Sequence, residues 1–186
     1  MKNIAYHILD IVHNSIQAKA TLVDISLVET TGNHSLVLSV EDNGTGMTDT
    51  EVKAACDPYF TSRKTRHIGM GLPLLKQNAE QTGGDFFISS QPVKGTVVRA
   101  GFNTKNIDCP AMGDIVGAIH SLVTTTRNVD FVYHHCKDNK EYVLDTRELK
   151  KVLEDTPIYQ REISSYIKEM IAENLAEIGI IRSTVL

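Results

Sequence analysis

The chain has 186 residues, of which 41% are hydrophobic and 23% are charged, and its formal net charge is −4. These values are typical of a soluble globular protein with one domain and a smaller appendage. Because basic residues are not in excess, we do not expect a nucleic-acid partner. The three cysteines, Cys56, Cys109 and Cys136, lie far apart and outside any CxxC spacing, which argues against both disulfides and a zinc site.

The first residues of the chain enter an amphipathic pattern that contains Asp10, so they lack the apolar core of a signal peptide. No stretch approaches the roughly 18 apolar residues that a membrane span requires. We therefore expect a cytoplasmic protein with no membrane partner.

Residues 3 to 18 place isoleucines and a valine at helical intervals, which predicts an amphipathic helix. Asp10 and Asn14 are four residues apart and stack on one face, with His7 one turn earlier. An amide oxygen is a suitable ligand for Mg²⁺, and a nearby carboxylate could orient or deprotonate a water or a hydroxyl. The alternative is a solvated polar stripe.

Residues 20 to 28 and 35 to 41 read as two strands joined by a glycine-containing turn, and the second delivers Asp42 to its end. The sequence continues as Asp42-Asn43-Gly44-Thr45-Gly46-Met47, and Thr48 and Glu51 then form a capping box that begins a helix. A carboxylate beside a surface without side chains suits a planar ring with an exocyclic amino group, such as adenine. A plain strand-turn-helix connection is the alternative.

Residues 57 to 67 have no regular period and contain three basic residues in four positions, Arg63, Lys64 and Arg66, which could meet phosphates in a mobile loop. A solvated loop is the alternative. The next segment, Gly69-Met70-Gly71-Leu72, begins a helix that ends at Gly83. The N-terminus of that helix would present unpaired N–H groups suited to a polyphosphate.

Residues 85 to 90 and 95 to 102 read as two more strands. The order of the elements predicts an α+β fold, a two-layer sandwich of a largely antiparallel or mixed sheet with helices on one face.

After residue 103 the composition changes through a linker, and the remainder reads as a small α+β module. It contains a helix from Met112, a hairpin turning at residues 137 to 140, a helix over residues 146 to 154, and a helix that begins at Thr156-Pro157 and carries an apolar stripe. We expect this last helix to pack on its own domain, with a homodimer contact as the alternative. His134, His135 and Cys136 are adjacent on a strand and point to opposite faces, so we do not expect a metal there.

Taken in order, these residues resemble the GHKL superfamily, which contains the ATPase domains of gyrase, heat-shock chaperones, histidine kinases and mismatch-repair proteins. The resemblance covers about residues 3 to 103 and implies a Bergerat-type fold that binds Mg²⁺-ATP. It implies that Asn14 coordinates Mg²⁺ and that Asp42 binds the adenine amino group. The same resemblance implies nucleotide contacts from Gly44, Gly46, Met47, Gly69, Met70, Gly71, Leu72 and Thr96. Gln17 stands where kinases often have a phosphate-contacting lysine, and Arg63 or Lys64 could take over that contact.

By resemblance to the hydrolysing members and to anti-sigma serine kinases, Asp10 is expected to be the general base. Because only thirteen residues precede Asn14, we expect a short form without the phospho-accepting segment of histidine kinases. We therefore predict an ATP-binding domain at residues 1–103 and a partner-binding or dimerising module at residues 104–186. The predicted function is that of an ATPase or protein kinase in regulatory signalling. The alternative is a non-catalytic regulator that binds ATP and grips a partner protein.

Overall fold

A computed structural model describes residues 3–57, 71–154 and 156–180 of the chain. Its described strands form one mixed sheet of six strands, in the order β3-β4-β2-β1-β5-β6. Neighbouring strands run antiparallel, except that β1 and β5 run parallel. The strands are β1 (Leu22–Thr30), β2 (Ser35–Asp42), β3 (Phe86–Gln91), β4 (Gly95–Asn103), β5 (Asp130–Lys137) and β6 (Lys140–Asp145).

Helices cover one face of the sheet, and the hydrophobic core lies between the two layers. Helix α1 packs against α3 and α4, and α4 packs against α6. This arrangement confirms the predicted α+β fold with a mixed sheet. The helices are α1 (Ile4–Gln17), α2 (Asp49–Ala55), α3 (Gly71–Gln81), α4 (Ile115–Thr125), α5 (Thr146–Leu153) and α6 (Arg161–Glu177).

Alternation along the strands sets which side chains enter the core. In β1, Val23, Ile25 and Leu27 are fully buried, whereas the residues between them are only half-buried. The register places Val40 and Leu38 of β2 opposite Ile25 and Leu27. Side chains of one strand that are two residues apart point to the same face, so these residues form one continuous apolar surface beneath the helices.

The second half of the chain shares the sheet and the core of the first half. Strand β5 pairs with β1 over eight positions, from Leu22 opposite Asp130 to Glu29 opposite Lys137. The sheet and the core therefore both continue past residue 103. Apolar residues on both sides of this position belong to one cluster. A functional division between residues 1–103 and 104–186 stays a prediction.

Polar contacts reinforce the junction between β1 and β5. The buried His135 contacts Tyr133 Oη through Nδ1 at 2.6 Å and Glu29 Oε1 through Nε2 at 3.1 Å. At the same end, Asp138 accepts hydrogen bonds from the backbone N–H and the hydroxyl of Thr31 at 2.8 and 2.7 Å. His134 points away from His135 and lies 3.6 Å from Asp24. Among the described residues, no group of three or more His, Cys, Asp or Glu could hold a metal ion.

Two helix boundaries in the second half differ from the predicted ones. The helix expected from Met112 begins at Ile115, where the Asp114 side chain accepts a hydrogen bond from the Gly117 N–H. The helix expected from Thr156-Pro157 begins at Arg161. That prediction was wrong, because the chain forms a turn at residues 158 and 159 before the helix begins. This turn places the side chain of Ile158 in the core.

The apolar stripe of α6 is buried within its own chain. Ile167, Ile171 and Leu175 are fully buried, and α6 packs against α4. This agrees with the expectation that the helix packs on its own domain. Among the helices of the described ranges, none is long and apolar enough to cross a membrane.

Candidate functional site

Asp42 is the last residue of β2, and its carboxylate is held in place from two sides. Its Oδ1 accepts a hydrogen bond from the Gly44 N–H at 2.8 Å, and its Oδ2 accepts one from the Ser15 hydroxyl at 2.7 Å. The side chain is 9% exposed, so few water molecules compete for these contacts. Each oxygen keeps a further lone pair for a donor in front of it.

The two glycines after Asp42 allow close backbone approaches. Gly46 has φ +64°, and a Cβ at this position would lie 1.9 Å from the carbonyl oxygen of Gln91. A Cβ at Gly44 would lie 2.8 Å from the carbonyl oxygen of Ala18. Only glycine fits the turn that leads from β2 past the end of α1.

A cavity of about 370 Å³ opens beside Asp42, and this volume lies within the usual range of small-molecule sites. Six of the predicted site residues line it, namely Asn14, Asp42, Gly46, Met47, Leu72 and Thr96. The structure thus brings the predicted carboxylate and the predicted amide to one cavity. The other lining residues are Ile11, Ser15, Ala18, Glu51, Ala54, Ala55 and Val98.

Ser90 connects the glycine turn to the β3–β4 hairpin beside the cavity. Its Oγ accepts a hydrogen bond from the Met47 N–H at 2.8 Å and donates one to the Gly95 carbonyl at 2.9 Å. The same atom lies 2.9 Å from Thr96 Oγ1. These contacts fix the backbone of Met47 relative to Thr96, on the opposite strand from Asp42.

Helix α2 forms one wall of the cavity, and the predicted capping box begins it. The Glu51 carboxylate accepts hydrogen bonds from the Thr48 backbone N–H and hydroxyl, each at 2.8 Å. These hydrogen bonds lower the pKa of Glu51, which stays ionised near neutral pH. Its charge lies in the first turn of α2, where the helix dipole stabilises it.

Asp10 lies half-buried on α1 against the first turn of α3. A Cβ on Gly71 would lie 1.4 Å from Asp10 Oδ2, so the carboxylate fills the space that a side chain would take. Burial raises the pKa of Asp10 above its ordinary value. Among the described residues Asp10 does not line the cavity, but it contacts the residue that precedes Leu72, which does.

His7 lies one turn before Asp10 on α1, as expected, but it is fully buried, so the alternative of a solvated polar stripe does not hold for His7. The ring lies beneath α3, where its Nε2 is 2.9 Å from Asn78 Nδ2. Burial lowers the pKa of His7 to about 4, so the ring is neutral near neutral pH. Helix α3 covers this position, and a single-helix pattern does not contain that information.

Comparison with known proteins identifies the family. The family model described as histidine kinase-, DNA gyrase B- and HSP90-like ATPase matches residues 3–106, which is more than half of the chain. The chain belongs to this family. The match spans α1, the turn that contains Gly44 and Gly46, and the strands that carry Asp42 and Thr96.

Curated members of this ATPase family that match the chain include bacterial kinases. The sensor histidine kinase YxdK of Bacillus subtilis is 38% identical over 73 residues, which are 37% of this chain and 22% of that protein. Sporulation kinase C of the same organism is 34% identical over 91 residues, which are 48% of this chain and 21% of that protein. The chain thus spans about a fifth of the length of these relatives.

Among solved structures, the N-terminal domain of a DNA repair protein shares the fold. The TM-score is 0.56 at 15% sequence identity, and the match covers 77% of this chain and 52% of that chain. The match extends beyond the residues of the ATPase family model, which agrees with a sheet that continues into β5 and β6.

Four predicted site residues of this ATPase family member, Arg63, Lys64, Gly69 and Met70, lie outside the described residues. Sequence reasoning missed Ser15, which holds Asp42, and the apolar lining residues Ile11 and Ala18. Helical spacing contains a signal for them, because positions 11, 14, 15 and 18 of α1 share one face.

Proposed function

We propose that the chain binds Mg²⁺-ATP in the cavity beside Asp42 and transfers the terminal phosphoryl group to water or to a hydroxyl of a partner protein. Membership of the ATPase family supports this proposal. The observation that carries it is that Asp42 and Asn14 line one cavity.

The carboxylate of Asp42 is the proposed contact to the adenine amino group. Ser15 and Gly44 each donate one hydrogen bond to it, and Asp42 lines the cavity, so the carboxylate keeps lone pairs that can accept a hydrogen bond from a ligand. An amino group at the edge of a purine supplies the matching donor, whereas the carbonyl that guanine has at this position would face an unfavourable acceptor. The Thr96 hydroxyl and the Met47 backbone complete this end of the proposed site.

Asn14 is the proposed protein ligand for Mg²⁺. Asn14 is exposed and lines the cavity, where its amide oxygen would hold the ion together with water and phosphate oxygens. Mg²⁺ commonly takes one or two protein ligands together with phosphate oxygens and water, so a single amide fits the ion. When bound, the ion would neutralise charge that develops on the phosphate oxygens.

The N-terminus of α3 is the proposed binding site for the phosphates. Its first described residues, Gly71 and Leu72, are the end of the glycine motif, and Leu72 lines the cavity. Backbone N–H groups and the positive end of the helix dipole stabilise phosphate charge at such a position. We assign further phosphate contacts to Gly69, Met70, Arg63 and Lys64 as part of the same proposal.

Asp10 is the proposed general base that orients the attacking water or hydroxyl. It contacts Gly71 at the start of the phosphate-binding helix and lies four residues before Asn14 on α1. The raised pKa of its carboxyl brings the group closer to the pH at which a base is most effective. Phosphoryl transfer depends mainly on positioning and on electrostatic stabilisation, so few side chains suffice.

Isothermal titration with Mg²⁺-ATP tests the binding site. We expect Asp42→Asn to weaken ATP about tenfold to hundredfold, because a hydrogen bond to a charged group is lost. Asp24→Asn is the matched control, because Asp24 lies on the opposite face of the neighbouring strand. If Asp42→Asn and the wild type bind ATP with equal affinity, the proposed site is refuted.

Phosphate release and transfer from γ-labelled ATP test the chemistry. We expect Asp10→Asn to bind ATP as the wild type does and to lose turnover about hundredfold or more, because general-base catalysis contributes this much. If the wild type binds ATP but both proteins turn it over only at the background rate, the chain is the non-catalytic regulator. Equal rates above background would show that Asp10 is not the base.

We also propose that the chain acts on a partner protein, that it can form a homodimer and that it is cytoplasmic. The matched relatives are named as sensor and sporulation kinases, which supports a role in signalling. Residues 104–186 are the proposed partner-binding part, and α6 presents the exposed Tyr166 on the side opposite its buried stripe. Co-purification with and without ATP tests this part of the proposal.

A further inference from the structure

Helix α3 approaches α1 closely at two positions that lie two turns apart. Gly71, at the start of α3, contacts the Asp10 carboxylate, and Asn78 contacts the His7 ring. Gly71 and Asn78 are seven positions apart, which corresponds to roughly 10 Å along a helix. Leu75, which lies between them, is fully buried.

The His7–Asn78 contact is directional, whereas the packing around it is not. The Nε2 to Nδ2 distance of 2.9 Å allows the Asn78 amide to donate to the ring, and this places the ring proton on Nδ1. Apolar contacts of Leu75 and Ala79 tolerate small rotations or shifts of α3. A hydrogen bond confines distance and angle to a narrow range, so it fixes the position of α3 along α1.

The His7 ring is an unfavourable choice for the core on grounds of stability alone. Its Nδ1 is buried and has no hydrogen-bond partner among the residues that the structure describes. An unpaired buried polar atom destabilises a fold, and an apolar side chain of similar volume would fill this place without that penalty. The contact with Asn78 is therefore better explained by the position that it gives to α3.

We propose that His7 and Asn78 are positioning residues that fix α3 so that its N-terminus and the Asp10 carboxylate keep a productive geometry. This inference rests on the proposed function, in which α3 binds the phosphates and Asp10 is the base. Asp10 lies one turn after His7 on α1. A shift of α3 along α1 therefore changes the position of Gly71 relative to Asp10.

Steady-state ATP hydrolysis and ATP titration of His7→Leu and Asn78→Leu test the inference. We expect kcat to fall about tenfold to hundredfold in each, because small misplacements of reacting groups slow catalysis by such factors. ATP affinity should fall less than kcat, because the purine contact at Asp42 does not involve α3 and only the proposed phosphate contacts shift with this helix. The kcat of the variant that combines His7→Leu with Asn78→Leu should be no lower than that of either single variant. His7→Gln should recover most of kcat, since its amide oxygen accepts a hydrogen bond from Asn78.

Ile8→Val is the matched control for a purely structural effect, because Ile8 is an equally buried residue of α1 that makes no polar contact. It should change the melting temperature slightly and leave kcat unchanged. An unchanged kcat in His7→Leu, or a loss that Ile8→Val shares in proportion to its melting temperature, would overturn the inference.

Amide hydrogen exchange without nucleotide gives a result that does not depend on hydrolysis. We expect faster exchange in the first turns of α3 in His7→Leu than in the wild type, and no change there in Ile8→Val. If amide exchange in the first turns of α3 is the same in His7→Leu as in the wild type, the positioning role of His7 is refuted, whether or not the enzyme is active. A wild type that neither binds nor hydrolyses ATP would instead refute the proposed function, while exchange still decides whether His7 fixes α3.

Discussion

The Ser15 hydroxyl donates a 2.7 Å hydrogen bond to Asp42 Oδ2 and so joins α1 to the end of β2 inside the candidate site. Both residues are buried, and the Gly44 N–H holds the other carboxylate oxygen. The carboxylate therefore has one orientation. In that orientation it faces the cavity lined by Asn14.

Ser15→Ala tests whether this orientation matters for binding. We expect ATP affinity to fall about tenfold, because one hydrogen bond to a charged group is lost and Asp42 can then rotate. Discrimination between ATP and GTP should narrow at the same time. Titration calorimetry with ATP and with GTP measures the affinity and the discrimination. Ser39→Ala, on the outer face of β2, is the control. Equal loss in both variants would contradict a specific role for Ser15.

Gly46→Ala is expected to destabilise the fold by about 2–4 kcal/mol, because it combines an unfavourable backbone angle with a steric clash. The φ of Gly46 is +64°, and the new Cβ would meet the backbone carbonyl of Gln91. Urea unfolding measures the change in the free energy of unfolding. Gly32→Ala is the control, because nothing lies within 4 Å of a Cβ there. A change as small as that of Gly32→Ala would show that the turn can rearrange.

Gly71→Ala should remove turnover without removing ATP binding. Its Cβ would occupy the position of Asp10 Oδ2, so the carboxylate must rotate away. We expect kcat to fall about as far as in Asp10→Asn, and the double variant to show no further loss, because both changes remove one interaction. Additive losses in the double variant would indicate that Gly71 acts independently of Asp10.

The pKa of Asp10 predicts opposite effects of pH on stability and on activity. Burial raises this pKa above its ordinary value of 3.8, so the folded state loses stability as the pH rises above 3.8, and the loss is complete once the pH exceeds the raised pKa. Asp10→Asn should therefore melt at a higher temperature than the wild type at pH 7, and the difference should vanish below pH 3.8. Turnover of the wild type should rise with pH through the same raised pKa.

Thermal melts at several pH values and a pH profile of kcat measure the two effects. The control is Asp24→Asn, on the outer face of β1. A lower melting temperature of Asp10→Asn at neutral pH would show that the ionised carboxylate stabilises the fold, which contradicts the desolvation argument.

A fragment of residues 1–106 should not reach the stability of the full chain, although it contains the whole match to the ATPase family. Without β5, the N–H and C=O groups of one side of β1 lose their partners, and part of the shared core is exposed. We expect this fragment to unfold at lower urea and the added fragment 107–186 to restore it. A fragment as stable as the full chain would support the predicted boundary at residue 103.

The sequence predicts local features of this protein well because they depend on neighbours in the chain. The capping box of Thr48 and Glu51 and the hairpin between β5 and β6 both formed as expected. Asp42 and Asn14 were placed on a strand end and on a helix face, and the structure brings them to one cavity.

Contacts between distant elements could not be predicted in the same way. The burial of His7 depends on α3, which lies some seventy residues away in the chain. The parallel pairing of β1 with β5 depends on a crossover that composition does not reveal. The Ser15–Asp42 hydrogen bond joins residues 27 positions apart, and neither residue type alone indicates it.

Formed by the described residues alone, the cavity is enclosed at one end and open at the other, since Asp42 is buried whereas Asn14 is exposed. Within the described residues, a nucleotide held at Asp42 would therefore enter base first and leave its polyphosphate tail at the mouth. A bulky acceptor on another molecule could approach that tail from outside without entering the pocket. Water reaches the same opening, so the choice between hydrolysis and transfer would depend on which acceptor docks there.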